Sequence, residues 1–132
     1  MIKIKRTKNL EKRIKQSFKQ NNLEKIPVVE KVWGKEIWIV NKEYCGKILL
    51  VKKGSYGSLH YHKEKDETFL LIKGKVLMEI DGKKWVMKPW NFQYVPRNSV
   101  HRFTGLEDSI IIEFSTHHKD EDTYRLEYSG KK

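Results

Sequence analysis

The sequence predicts an all-β domain preceded by one short N-terminal helix, and three observations carry that expectation. From Val32 onward the chain is a series of short runs rich in Val, Ile, Tyr, Phe and Trp, broken by Gly, Asp, Asn and Pro. No helical period separates these runs, so they pair antiparallel, in a barrel or a double-sheet sandwich. Asp81-Gly82 joins two of them, and that dipeptide is a strong hairpin signal because a type I′ turn needs two residues of positive φ.

At 132 residues the chain makes one domain. Its organisation reads as a basic helical segment over 1–26 and a single β domain over 27–132. Residues 1–31 hold ten Lys/Arg against three Asp/Glu, a net +7, while residues 32–132 hold eighteen against fourteen, a net +4. Within the basic segment Leu10, Ile14 and Phe18 recur at helical spacing, Glu11 precedes Lys15 by four, and Asn21-Asn22 before Pro27 reads as a stop. This is an amphipathic helix expected to lay its apolar stripe on the domain or on a partner subunit, with the lysines solvated. No aromatic interleaving supports nucleic-acid binding.

Strands are expected over residues 36–41, 47–52, 58–62, 68–74, 75–80, 84–88, 92–96, 100–105 and 109–115. The tail from His117 opens with turn chemistry and ends polar, a turn or strand laid against the barrel. No run approaches the roughly 20 apolar residues of a membrane span, and the N-terminus is charged where a signal peptide would be apolar, so a cytoplasmic protein is expected. Cys45 is the single cysteine, has no internal disulfide partner, and reads as a small buried hydrophobe.

The chemistry concentrates in His60-x-His62 and Glu67. Alternate residues of a strand share a face, so the two imidazoles point the same way while Tyr61 points away, and Glu67 starts the next strand after a turn. His101 begins a strand after the turn at Pro96 and Asn98. Three imidazoles and a carboxylate make an N/O site for one divalent transition metal ion, and zinc, manganese, iron, nickel and cobalt all suit it.

Gly54, then His60-x-His62, Glu67 and Gly74 at their spacing are similar to the first cupin motif, and Pro96-x-Asn98-x-x-His101 resembles the core of the second. The resemblance implies a jelly-roll barrel, the double-stranded β-helix of cupins, with the metal held by His60, His62, Glu67 and His101. The second motif normally opens on a Pro-Gly-Asp turn; Trp90 and Asn91 stand here in place of Gly-Asp, so that turn is reshaped.

Further segments look similar to the type II mannose-6-phosphate isomerase cupins. These are Trp33-Gly34, residues 46–51, Ser58-Leu59 before the histidines, and the closing stretch 111–126. Ser115 departs from that family's glutamine. The resemblance marks Lys47, Glu113, Asp122 and Arg125. Physics bears on the same positions: a carboxylate inside a run as apolar as 109–114 sits either at a strand end or against a polar cavity, because burying an unpaired charge costs several kcal/mol.

An aldose–ketose isomerisation requires a group that polarises the carbonyl, a base, and a clamp for the sugar. Glu113 is the expected base, Lys47 the group that stabilises the enediolate, and Arg125 the clamp on a phosphate or on ring hydroxyls. Trp38, Tyr94 and Phe103 are the candidate stacking wall. Two other functions fit the same ligands: a non-haem metal dioxygenase, and a non-catalytic sugar-binding cupin. His117 and His118 are expected to face solvent. The expected partners are a small-molecule substrate and a second copy of the chain, docked through sheet packing with the helix contributing.

Overall fold

The computed structural model describes residues 7–19 and 26–132. Helix α1 runs Lys8–Lys19. Thr7 starts it: its hydroxyl accepts the Leu10 N–H over 3.1 Å, satisfying one of the donors a helix leaves free, and its carbonyl accepts the Glu11 N–H over 3.0 Å as the first intrahelical bond. The Asn21-Asn22 stop and the Phe18 side chain lie outside the described residues.

Thirteen strands follow: β1 Val28–Lys31, β2 Gly34–Asn41, β3 Tyr44–Val51, β4 Ser55–Tyr56, β5 Leu59–His62, β6 Glu67–Lys73, β7 Val76–Ile80, β8 Lys83–Met87, β9 Phe92–Val95, β10 His101–Gly105, β11 Ser109–Thr116, β12 Thr123–Glu127 and β13 Gly130–Lys131. They form two antiparallel sheets. One has the order β1-β2-β3-β11-β6-β9; the other has β12-β5-β10-β4-β13, with β7 on β10 and β8 on β7. Each expected strand has its counterpart, and the tail contributes β12, which pairs with β5.

Turn chemistry sets the register. Asp81 and Gly82 both have positive φ, 47° and 82°, as a type I′ hairpin requires, and Ile80 faces Lys83 across it. Gly74 has φ 95°, and a Cβ there would run into the Ser109 hydroxyl and the Asp108 carbonyl, so only glycine fits. In the reshaped turn Asn91 N–H donates to the Lys88 carbonyl over 2.9 Å, and Trp90 takes the left-handed position at φ 73°. A side chain there costs roughly 1–2 kcal/mol that glycine would avoid.

Between the sheets lies a core of Trp33, Leu49, Val51, Phe69, Leu71, Val76, Met78, Met87, Val95, Phe103 and Ile111. Strand periodicity puts these on inward faces; β3 alternates buried and half-buried from Cys45 to Val51. Cys45 is buried as a small core residue. The same inward faces carry the polar residues that make the site.

Candidate metal centre

The three histidines converge by register. His60 and His62 share a face of β5, and His101 opens β10 as the Cα partner of His60. Asn98 turns the chain into β10 with φ 67°, and its N–H donates to the His62 carbonyl over 2.7 Å. One ligand atom from each ring comes within 4.8 Å of the others.

Each ring is oriented by its Nδ1. The Ser58 carbonyl lies 2.9 Å from His60 Nδ1, the Asp122 carbonyl 3.1 Å from His62 Nδ1, and the Ser99 carbonyl 2.8 Å from His101 Nδ1. A carbonyl only accepts, so Nδ1 carries the proton and Nε2 keeps its lone pair. His62 Nε2 and His101 Nε2 are buried without a hydrogen-bond partner, as is Glu67 Oε2. Glu67 Oε2 is 3.2 Å from His62 Nε2 and Glu67 Oε1 is 3.5 Å from His101 Nε2, acceptor facing acceptor with no proton between them. Buried acceptors left unpaired cost about 1–3 kcal/mol each. A divalent cation satisfies all of them together, and carbonyl-oriented imidazoles are the usual outer support of such centres. The three-histidine cluster is thus consistent with the metal site expected from the sequence.

Burial, reinforced by the fields of His101 and His62, holds the His60 pKa well below the ordinary histidine value. Burial alone would raise Glu67, but Lys65 and its contacts with His101 and His62 outweigh it and hold the carboxyl well below the usual range. For His101, burial acts downward and the Glu67 carboxylate outweighs it, so its pKa is raised.

Around the histidines is a cavity of about 120 Å³, lined by Lys47, Glu113, Phe103 and Arg125 among others. Glu113 faces inward from β11 and is buried, not at a strand end. Lys47, its Cα partner on β3, is 1% exposed; its ammonium lies 3.3 Å from Glu36 Oε1 and 4.2 Å from the centre of the Trp38 ring. Arg125 is the Cα partner of His60 across β12 and β5 and sits exposed at the cavity rim. Trp38 donates its indole N–H to Glu36 over 2.9 Å and packs edge-on to His118. Tyr94 is corrected as a wall residue: it pairs with Thr68 on the opposite face from Glu67 and Val95, and is 50% exposed outside the barrel.

Lys65, Glu36 and His118 were not among the expected site residues. The Lys65 ammonium is buried 3.0 Å from Glu113 Oε2, 3.3 Å from Glu67 Oε2 and 3.1 Å from His118 Nδ1. Burial alone would lower its pKa, but Glu113 and Glu67 raise it above the ordinary value. Its parity with Glu67, two residues on, was the available signal. His118 is not solvent-facing as expected: its side chain is 9% exposed and its Nε2 lies 2.8 Å from Asp120 Oδ1, because Asn41 accepts the His118 N–H and returns its amide to the His118 carbonyl. His117 is exposed, as expected.

Asp122, in the short 3-10 turn Asp120–Asp122, anchors the loop that carries Lys65. Its carboxylate accepts the N–H groups of Lys63 at 2.9 Å, Glu64 at 3.0 Å and Lys65 at 2.9 Å.

Residues 47–119 match the family profile of the cupin domain. An uncharacterized protein of Aquifex aeolicus is 31% identical over 70 residues, 52% of this chain and 58% of that one. A segment of the quercetin 2,3-dioxygenase of Bacillus subtilis is 39% identical over 44 residues, 33% of this chain and 13% of the dioxygenase. The chain therefore spans less than two thirds of either relative. Among solved structures, an RmlC-like cupin from Shewanella frigidimarina superposes with a TM-score of 0.67 at 18% identity, over 74% of this chain and 89% of that one. KdgF from Halomonas sp. gives 0.62 at 20% identity, over 66% and 81%. At these identities the likeness is one of fold.

Proposed function

This chain belongs to the cupin family, and from that premise we propose that it is a metal-dependent enzyme that moves a proton between adjacent carbons of a sugar or sugar phosphate, as an aldose–ketose isomerase does. The observation that carries this reading is Glu113, a carboxylate buried in the same cavity as the three histidine Nε2 atoms. The resemblance of residues 46–51 and 111–126 to the type II mannose-6-phosphate isomerase cupins supports it. So does cavity size: about 120 Å³ holds roughly ten water-sized groups, the scale of a monosaccharide. The lining, with Glu36, Lys47, Lys65, Glu67 and Glu113, suits a hydroxyl-rich ligand better than an apolar one.

His60, His62, His101 and Glu67 would hold the metal, which when bound polarises a carbonyl as a Lewis acid. Glu113 takes the proton from the carbon beside the carbonyl and returns it to the former carbonyl carbon, while the hydroxyl proton on the first carbon passes to the former carbonyl oxygen, so that one C–H and one O–H proton exchange places. Lys65 occupies its Oε2, so Oε1 is the oxygen that carries the proton. Lys47, with one carboxylate contact for its three N–H groups, donates to the oxygen on which charge develops. Arg125 holds the distal hydroxyls or phosphate with its planar fork.

The test is an assay of metal-reconstituted protein across aldoses and aldose phosphates in heavy water, read as deuterium incorporated beside the carbonyl. Glu113→Gln should abolish incorporation and leave metal occupancy intact; incorporation by that variant at the wild-type rate would sink the reading. A second reading, a metal dioxygenase, is favoured by the segment shared with a quercetin 2,3-dioxygenase. Oxygen consumption by the iron-loaded protein, with no deuterium incorporation, would support it instead.

A further inference from the structure

We infer that Lys65 is a positioning residue that divides the work of two neighbouring carboxylates: it holds Glu113 off the metal as a free base and leaves Glu67 to the metal. This rests on the reading of Glu113 as the base.

Both carboxylates point into one buried space, and nothing in their chemistry distinguishes them as ligands. Lys65 supplies the difference. An ammonium has three N–H donors; two are hydrogen-bonded, to Glu113 Oε2 at 3.0 Å and His118 Nδ1 at 3.1 Å, and Glu67 Oε2 at 3.3 Å adds an ion pair without a hydrogen bond. An ammonium buried among these three groups is spent on them and not offered to a substrate. It is tied most closely to Glu113, the carboxylate that touches no histidine Nε2. Glu67 by contrast keeps both oxygens within 3.5 Å of a histidine Nε2.

Lys65 is also held firmly enough to set a geometry. The Asp122 carboxylate takes the N–H groups of residues 63–65, fixing the backbone from which Lys65 reaches inward. His118, which accepts from Lys65, is locked by Asn41 and Asp120. Remove the ammonium and Glu113 becomes a second carboxylate free to approach the cation.

The experiment uses cobalt, whose visible spectrum reports coordination number. Lys65→Met should bind cobalt at least about tenfold more tightly, since a like charge is lost and a carboxylate ligand gained. Its absorption should weaken as the coordination number rises, and Lys65→Met/Glu113→Gln should return to the wild-type spectrum. An unchanged spectrum in Lys65→Met overturns the inference. If Lys65→Met yields no folded protein, the double variant decides, because it removes one charge of each sign: cobalt binding with the wild-type spectrum supports the inference, and loss of cobalt binding overturns it. These readouts need no turnover, so they separate failure of this inference from failure of the isomerase reading, which deuterium incorporation by the wild type tests.

Discussion

The Asp122 carbonyl accepts the Nδ1 proton of His62 over 3.1 Å, while the carboxylate of the same residue seats the backbone of residues 63–65. One residue therefore orients a histidine of the candidate centre through its backbone carbonyl and holds the turn that leads to Glu67 through its side chain. Asp122→Ala should cost about 3 kcal/mol, because buried hydrogen bonds to a charged acceptor are lost and their donors stranded. It should also weaken metal binding, by up to about 10-fold, because the backbone that carries the His62 acceptor and the turn before Glu67 both lose their anchor. Urea unfolding and metal titration check both; a cost below about 1 kcal/mol would mean that the turn holds itself.

His62 belongs to the histidine cluster. In the wild type, metal at a hundredfold excess over its dissociation constant should add about 2.7 kcal/mol of stability. In His62→Ala that gain should vanish and elemental analysis should find the metal content reduced. Unchanged content would remove His62 from the ligand set.

The metal-free protein should lose stability on acidification. Burial, helped by His101 and His62, lowers His60, and burial, with Lys65 and Lys47, lowers His118. A depressed histidine binds fewer protons folded than unfolded, so its contribution is present above the unfolded value of about 6.5 and lost as the pH falls below it. Glu67 and Asp122, also depressed, add a loss at lower pH, as each carboxyl is protonated through its folded pKa. His101 is raised and works the other way, its contribution present in acid and lost as pH rises through its folded pKa. Two histidines oppose one, so denaturant unfolding in chelator should show stability falling between about pH 7 and 5; a flat or rising profile would contradict this.

We propose that the chain pairs with a second copy through the outer face of the β1-β2-β3-β11-β6-β9 sheet. Cross-strand register lines up Ile37, Ile48, Ile112, Leu70 and Phe92 across five strands of it, and Phe92, Phe114 and Tyr94 are 70%, 53% and 50% exposed. Stable interfaces bury about 800 Å² per partner, and an apolar face this continuous calls for cover. Light scattering at micromolar concentration should give a dimer, and Phe92→Asp/Phe114→Asp a monomer. A monomeric wild type would reject the interface.

Much of this protein was legible in its sequence because the signals are local. Alternation put His60 and His62 on one face, Asp81-Gly82 specified its own hairpin, and the apolar run around Glu113 left an inward carboxylate as one of two readings. Each follows from strand period or from the φ a turn demands, which neighbouring residues settle among themselves. Tyr94, Lys65 and His118 did not yield to the same reading. Whether Tyr94 joined the site depended on which face of β9 met the core, and pairing with β6 decided that. Lys65 sits in a turn, where a lysine is ordinarily solvated; it is buried because Asp122, 57 residues away, draws its backbone inward and two carboxylates repay its desolvation. His118 was turned inward by Asn41, 77 residues before it. The sequence by itself determined which residues could ligate and which strands would present them. The tertiary structure alone decided how the charges pair, because the cost of burying a charge depends on partners that only folding brings within reach.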